Sequence, residues 1–202
     1  MPRVLVTGFE PFDDFSINPS EEVVKSLDGL KISGFDVHGL VLPLDYEKAF
    51  TKMESIMDSL EPEFILCFGQ AYRGGITLER IAINAVSTTR ADNYGHTPES
   101  DIILEDAPAA YFTTIMPHPI VEHLRRAGIP SGVSYHAGTF GCNWILFRVL
   151  HKLTTEGRNG RTLFIHLPAL PEQAVEKSQT NLATMPLETQ VRAAEIIMSL
   201  LK

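Results

Sequence analysis

Two cysteines occur in the 202-residue chain, and they stand in very different surroundings. Cys142 follows two glycines, Gly138 and Gly141, and precedes a long stretch in which apolar residues recur at helical spacing. The N–H groups at a helix start favour a thiolate and can hold a developing oxyanion. Cys67 lies inside the apolar run 64–68, where a free cysteine is usually a buried, unreactive side chain. Cys142 is therefore the better nucleophile, although a purely structural role stays open for it.

His166 is the histidine best placed to activate such a thiol. It ends the strand-like segment 162–167, and sites in open α/β sheets form at the carboxyl ends of strands. An imidazole there could deprotonate the thiol of Cys142 and later protonate a leaving amine. The alternative is a structural role, in which the ring nitrogens of His166 form hydrogen bonds with backbone groups at the strand end. The remaining histidines show no strong metal-ligand spacing; they are His38, His96, His118, His123, His136 and His151.

A third group has to orient such a base, and Glu79 is a candidate. It follows a glycine-rich loop and enters the apolar segment 81–83. Taken alone, the neighbouring cation at Arg80 favours a plain salt bridge over a catalytic role for this carboxylate.

The elements that would position these residues alternate between strands and helices. We predict strands at residues 4–8, 35–42, 63–69, 78–86, 132–135 and 162–167, and helices at 18–27, 45–60, 119–128, 140–155 and 187–201. This alternation predicts a single domain, residues 1–202, with an α/β fold: a three-layer α/β/α sandwich around a mostly parallel mixed sheet. The polar segment 88–116 is too long for a plain connection and is typical of functional or subunit-contact loops.

Composition narrows the class of protein. The net charge is −8 and no run of lysine and arginine occurs, so we expect no nucleic-acid partner. No apolar run has the length of a membrane span, and the first residues resemble a buried strand more than a signal peptide. We therefore expect a cytoplasmic protein with both cysteines reduced.

Several segments together, in order along nearly the whole chain, resemble the pyroglutamyl peptidase I (pyrrolidone carboxyl peptidase) family. They are residues 8–12, 18–20, 69–71, 79–84, 108–112, 137–143, 164–168 and 171–173. Each fragment alone is a weak signal, whereas all of them in register are a specific one.

The resemblance implies an enzyme that removes N-terminal pyroglutamate from peptides without a metal or organic cofactor. It implies Cys142 as nucleophile, His166 as general base and acid, and Glu79 as the group that orients it. It also implies a pocket for the pyrrolidone ring formed by Phe9, Phe12 and Phe140, by backbone around Gln70, and by Asn18 holding a loop, with Arg90 near the oxyanion. A homodimer or homotetramer is a further expectation from the family.

The chain departs from the family pattern at a few positions. Gly141 replaces a bulkier apolar residue, which we expect to widen the pocket or loosen the helix start. Tyr72 replaces a smaller or acidic residue, the sequence after Pro43 differs, and Arg90 is displaced by one position.

Two other functions stay open on the sequence. A cysteine amidase acting on another small amide would keep the triad but reject pyroglutamyl substrates. A non-catalytic binding relative would keep the fold and the pocket without turnover.

Overall fold

The computed structural model describes residues 1–201. The strands are β1 (Arg3–Phe9), β2 (Lys31–Ile32), β3 (Phe35–Leu42), β4 (Phe64–Gln70), β5 (Ile76–Glu79), β6 (Ile81–Ile83), β7 (Ala110–Phe112), β8 (Ser131–Ser134) and β9 (Arg161–Leu167). The helices are α1 (Pro19–Leu27), α2 (Lys48–Leu60), α3 (Pro117–Arg126), α4 (Gly141–Thr155), α5 (Pro171–Glu176) and α6 (Leu187–Ser199).

Seven strands form the main sheet, in the order β2-β3-β1-β4-β9-β5-β8. The pairs β1–β3, β1–β4, β4–β9 and β5–β8 are parallel, whereas β2–β3 and β5–β9 are antiparallel. The central strands β1, β4 and β9 are apolar along most of their length, as expected for parallel strands covered on both faces. The predicted mostly parallel mixed sheet is therefore confirmed.

Helices cover both faces of this sheet. Residues of α1, α3 and α6 pack with one face in a cluster that includes Leu27, Leu124 and Ile197. Residues of α2 and α4 pack with the other face in a cluster that includes Met53 and Leu146. These two cores make the predicted three-layer sandwich, and among residues 1–201 no helix has the length and apolar character of a membrane span.

The amino ends of two helices show how local sequence sets these boundaries. Asn18 caps α1, because its side-chain oxygen accepts a hydrogen bond from the N–H of Ser20 at 2.9 Å. The helix predicted from residue 45 begins three residues later, at Lys48. Asp45 still accepts hydrogen bonds from the N–H groups of Glu47 and Lys48, so it stabilises the turn that leads into α2.

The prediction of a single strand over residues 78–86 is wrong. It divides at Arg80 into the end of β5, which belongs to the main sheet, and β6, which pairs only with β7 in a separate two-stranded sheet. Sequence alternation continues across the break, so the pattern gives no sign of it. The short elements β2, β7 and α5 were also not predicted.

Candidate active site

Cys142 lies in the first turn of α4, where the sequence predicts it. The sulfur rests against Gly69 of β4: a Cβ atom added to this glycine would lie 2.8 Å from Cys142 Sγ. The absence of a side chain at Gly69 therefore lets the sulfur approach the carboxyl edge of the sheet.

His166 lies beside that point, near the carboxyl end of β9. It pairs in register with Gly69 on one side and with Thr77 on the other. Adjacent strands lie about 4.8 Å apart, so a sulfur resting on Gly69 is close to the imidazole on the neighbouring strand. Cys142 and His166 line the same pocket, although 24 positions separate them in sequence.

Glu79 joins them through the antiparallel pairing of β5 with β9. It stands opposite Phe164, two residues from His166 and on the same face of the sheet. His166 Nδ1 and Glu79 Oε1 are 2.7 Å apart. The pKa of Glu79 lies below its ordinary value, so the carboxylate accepts this hydrogen bond and Nδ1 donates it. That tautomer leaves Nε2 as the ring nitrogen able to take a proton.

Glu79 is fully buried, and its charge is balanced by several donors. Burial alone would raise the pKa of its carboxyl, but the hydrogen bond and charge of His166, together with Arg73, outweigh burial and lower it. Arg73 Nη1 lies 3.0 Å from Oε1, and the Thr77 hydroxyl lies 3.3 Å from the same oxygen. A carboxylate so held stays ionised near neutral pH.

The salt bridge between Glu79 and Arg80 that sequence alone favours does not form. Arg80 instead donates to the carbonyl of Thr113 at 2.6 Å and stacks over the ring of Phe112. The cation paired with Glu79 is Arg73, from the glycine-rich loop, and sequence reasoning missed it. A lone basic residue in that loop was the available signal.

The surroundings of the Cys142 sulfur favour the protonated thiol. Burial raises its pKa to about 12, the negative charge of Glu79 acts in the same direction, and the charge of Arg90 opposes both. Burial therefore outweighs the effect of the helix start, from which the sequence predicted a thiolate. This thiol has to lose its proton to a base as it reacts, and His166 is the base within the pocket.

The pocket has a volume of about 320 Å³ and a largely apolar lining. Every substrate-binding residue predicted from sequence lies on it: Phe9, Phe12, Asn18, Gln70, Arg90 and Phe140. The structure therefore brings these residues together with Cys142 and His166 around one small cavity.

Asn18 and Gln70 are fixed by hydrogen bonds within the protein. Asn18 Nδ2 donates to the carbonyl of Glu10 at 2.9 Å, so this side chain holds the loop after β1, as expected. Gln70 Oε1 accepts a hydrogen bond from Gln173 Nε2 at 3.0 Å, and Gln70 Nε2 is buried without a protein acceptor. Gln173 also donates to the carbonyl of Ile17, which ties the start of α5 to the pocket.

Arg90 reaches the pocket despite its displaced position in the sequence. Its guanidinium lies 4.0 Å from the ring centroid of Phe140 and 6.0 Å from that of Phe12. Arg90 Nη2 also lies 2.9 Å from Asp13 Oδ2. Stacking and this partly exposed ion pair hold the cation at the mouth of the pocket.

Leu44 fills the space that residue 141 leaves. A Cβ atom at Gly141 would lie 2.6 Å from Leu44 Cδ1 and 3.8 Å from Phe9 Cε1. Leu44 itself lines the pocket. The expectation that Gly141 widens the pocket is therefore wrong, because the leucine side chain forms the wall there. Tyr72, the other departure from the family pattern, lines the pocket and is 58% exposed.

One group with metal-ligand chemistry lies outside the pocket. Ligand atoms of Asp45, Asp92 and His96 lie within 4.8 Å of one another. The oxygens of Asp92 accept hydrogen bonds from the N–H groups of Tyr46, Tyr94 and His96. This group therefore fastens the long loop to the start of α2.

Comparison with known proteins places the chain among peptidases. The sequence model of the pyroglutamyl peptidase family matches residues 2–201. Pyrrolidone-carboxylate peptidases of Yersinia pestis (strain Pestoides F) and Yersinia pseudotuberculosis (serotype O:3, strain YPIII) are each 42% identical over 177 residues, which is 87% of this chain and 82% of each relative.

Solved structures agree in fold and sequence. Pyrrolidone carboxyl peptidase from Thermococcus litoralis superposes with a TM-score of 0.93 at 38% identity, covering 98% of this chain and 92% of that one. A mutant pyrrolidone carboxyl peptidase from Pyrococcus furiosus gives a TM-score of 0.92 at 37% identity, covering 97% and 96%. The family match spans nearly all described residues, and the chain therefore belongs to the pyroglutamyl peptidase family.

Proposed function

We propose that this enzyme removes N-terminal pyroglutamate from peptides by cysteine acyl transfer, with Cys142, His166 and Glu79 as its triad. The observation that carries the proposal is one small pocket lined by both Cys142 and His166, with His166 Nδ1 held 2.7 Å from Glu79 Oε1. Family membership supports the same activity, since the relatives named above are pyrrolidone-carboxylate peptidases.

The pocket suits a small neutral lactam. A pyrrolidone ring offers apolar carbons, one N–H and one C=O, and the aromatic side chains of Phe9, Phe12 and Phe140 provide the apolar walls. Backbone groups around Gln70 are the polar partners for the lactam. An N-terminal glutamate would bring two opposite charges into this apolar space, and their desolvation would disfavour it.

The reaction proceeds in two halves. His166 Nε2 takes the proton of the Cys142 thiol as the sulfur attacks the carbonyl carbon that joins pyroglutamate to the next residue. The N–H of Cys142 and the cation of Arg90 stabilise the oxyanion. When the tetrahedral intermediate collapses, the C–N bond breaks, His166 protonates the leaving amine, and pyroglutamate remains on sulfur as a thioester.

Water completes the cycle. His166 accepts a proton from the attacking water, the C–S bond breaks, and the proton returns to sulfur as pyroglutamate leaves. Glu79 stays ionised throughout and stabilises the imidazolium that forms twice. Side chains and water account for every proton and bond, so the proposed chemistry needs no metal or organic cofactor.

Hydrolysis of a fluorogenic pyroglutamyl amide tests the proposal, with Cys142→Ala as the decisive variant and Cys67→Ala as its matched control. Cys67 is fully buried in β4, and burial raises its pKa to about 11, so its removal should leave most of the activity. We expect Cys142→Ala to lose at least ~10⁴-fold in kcat/KM with an unchanged circular dichroism spectrum. Retained activity in Cys142→Ala would overturn the mechanism.

The same assay separates the rival functions. A cysteine amidase of different specificity would hydrolyse an open-chain glutaminyl amide better than the pyroglutamyl amide. A binding relative would show a pyroglutamate-dependent rise in Tm without turnover of either substrate. A prolyl amide, which keeps the five-membered ring but lacks the lactam carbonyl, should be a poor substrate if the pocket recognises the lactam.

Location and assembly belong to the same proposal. The sequence features favour a cytoplasmic location, and the family resemblance implies a homodimer or homotetramer. Multi-angle light scattering of the purified protein tests the assembly, and a monomer at all concentrations would contradict it.

A further inference from the structure

Arg73 connects three parts of the candidate active site. It lies in the loop between β4 and β5, and its side chain is 35% exposed. Nη1 donates to Thr77 Oγ1 at 2.6 Å and to Glu79 Oε1 at 3.0 Å, and Nη2 donates to the carbonyl of His136 at 3.2 Å. The guanidinium therefore spans from β5 to the segment that leads into α4.

Arg73 and His166 share one carboxylate oxygen. Oε1 of Glu79 lies 2.7 Å from His166 Nδ1 and 3.0 Å from Arg73 Nη1, whereas Oε2 is buried and has no hydrogen-bond partner. Two donors, the Arg73 guanidinium and the His166 Nδ1–H group, thus share the same oxygen, rather than each taking one. The positive charge of Arg73 partly cancels the negative electrostatic potential that the Glu79 carboxylate exerts at the imidazole.

We propose that Arg73 is a positioning residue for the peptidase reaction: it fixes the Glu79 carboxylate and weakens the hold of that carboxylate on the proton of His166. This inference rests on the proposed function of the triad. Arg73 is not expected to touch the substrate, and it acts through Glu79.

The charged groups around the imidazole determine the direction of the effect. Glu79 on β5 contacts the imidazole, and Arg73 in the preceding loop contacts Glu79. Cys142 on α4 and Arg90 line the same pocket as His166. The neighbouring positions on β4, such as Gln70, carry no charge. Glu79 is therefore the anion that favours imidazolium, and Arg73 is the cation that touches this same anion.

Loss of the Arg73 charge should make His166 easier to protonate. Imidazolium cannot accept the thiol proton of Cys142, so activity would be lost at a higher pH as the solution is acidified. A unit charge at this separation, partly exposed to water, should move the midpoint of the acidic limb upward by about half a unit to one unit. A merely structural role would lower activity without moving this midpoint.

The test is the pH profile of kcat/KM on a fluorogenic pyroglutamyl amide for the wild type, Arg73→Gln, Arg73→Lys and Arg126→Gln. Arg126 is an exposed residue of α3, on the opposite face of the sheet, so its variant makes the same change in net charge far from the pocket. We expect the acidic midpoint to rise in Arg73→Gln, to return most of the way in Arg73→Lys, and to stay in place in Arg126→Gln.

A double variant shows whether Arg73 acts through Glu79. In a Glu79→Gln background the carboxylate charge is gone, so adding Arg73→Gln should raise the acidic midpoint by clearly less than it does in the wild-type background. If these variants are too slow for a profile, the titration of the His166 ring protons by NMR provides the same midpoints and needs no substrate.

Two results would overturn the inference. One is an Arg73→Gln enzyme whose acidic midpoint equals that of the wild type; the other is a failure of both Arg73→Gln and Arg73→Lys to fold, which would make the bond to the His136 carbonyl the main role. An inactive wild type would instead refute the proposed function, and the NMR titration would still test the effect of Arg73 on His166.

Discussion

The contact between Gly141 and Leu44 leads to a quantitative prediction. Gly141→Ala adds a Cβ atom 2.6 Å from Leu44 Cδ1, about 1 Å closer than ordinary carbon contact. The backbone of Leu44 is held on both sides, because its N–H donates to Glu10 and its carbonyl accepts from Asn93. The leucine side chain must therefore rotate, and overpacking of this kind costs about 1–3 kcal/mol.

The helical position reduces that cost. Alanine is favoured over glycine in a helix by up to about 1 kcal/mol, so we expect Gly141→Ala to lower the free energy of unfolding by about 1–2 kcal/mol in total. Leu44→Val alone removes one buried methylene and should cost about 1 kcal/mol. The double variant has the same number of side-chain carbons as the wild type and lacks the clashing Cδ1 atom, so it should cost less than about 1 kcal/mol.

Guanidinium denaturation at 25 °C of the wild type, both single variants and the double variant measures this coupling. We expect the loss in the double variant to be smaller than the sum of the single losses by about 1–2 kcal/mol. The KM for a pyroglutamyl amide should rise in Gly141→Ala and fall back in the double variant, because Leu44 lines the pocket. If the losses in the two single variants add up to the loss in the double variant within about 0.5 kcal/mol, the idea that Leu44 occupies the space of a side chain at position 141 is refuted.

Three further outcomes follow from the structure. Gly69→Ala places a Cβ atom 2.8 Å from Cys142 Sγ, so kcat/KM should fall by about 10²-fold or more in a folded protein; unchanged kinetics would contradict the location of the sulfur. Asn143→Ala removes three partly buried hydrogen bonds between α4 and the chain around β6, and should lower the free energy of unfolding by about 2–4 kcal/mol, measured by denaturation. The pKa of Glu79 is lowered on folding, so its stabilising effect is present above its ordinary value of 4.5 and is lost as the pH falls through the lower folded value. The difference in unfolding free energy between wild type and Glu79→Gln should therefore shrink on acidification from pH 6 to pH 3, and a constant difference would contradict this.

Much of the fold could be predicted because strong local patterns coincide with the elements. The apolar run from Phe64 is a central strand, and the helix after Asn18 begins at the predicted cap. Periodicity failed at Arg80, where alternation continues although the chain passes from one sheet into another. A break that leaves the side-chain pattern intact is invisible to any argument from periodicity.

The candidate site could be predicted at the level of residues but not of contacts. The triad and the aromatic pocket residues were named from sequence, and they line or adjoin one cavity. The contact between Leu44 and Gly141 joins residues far apart in the chain, so only packing reveals it. Arg73 was missed for the same reason, because its partner is decided by the path of a glycine-rich loop and not by spacing.

The direction of β5 explains why Glu79 needs more than one donor. At the carboxyl end of a strand parallel to β9, a side chain would lie at the rim of the pocket near water. Because β5 runs antiparallel to β9, its carboxyl end points below His166, and Glu79 is fully buried there. A buried carboxylate stays charged only with hydrogen-bond donors and opposite charge around it. Thr77 meets that need from the start of the same strand and Arg73 from the loop before it, so the topology that buries an anion beside the imidazole also requires a cation to balance it.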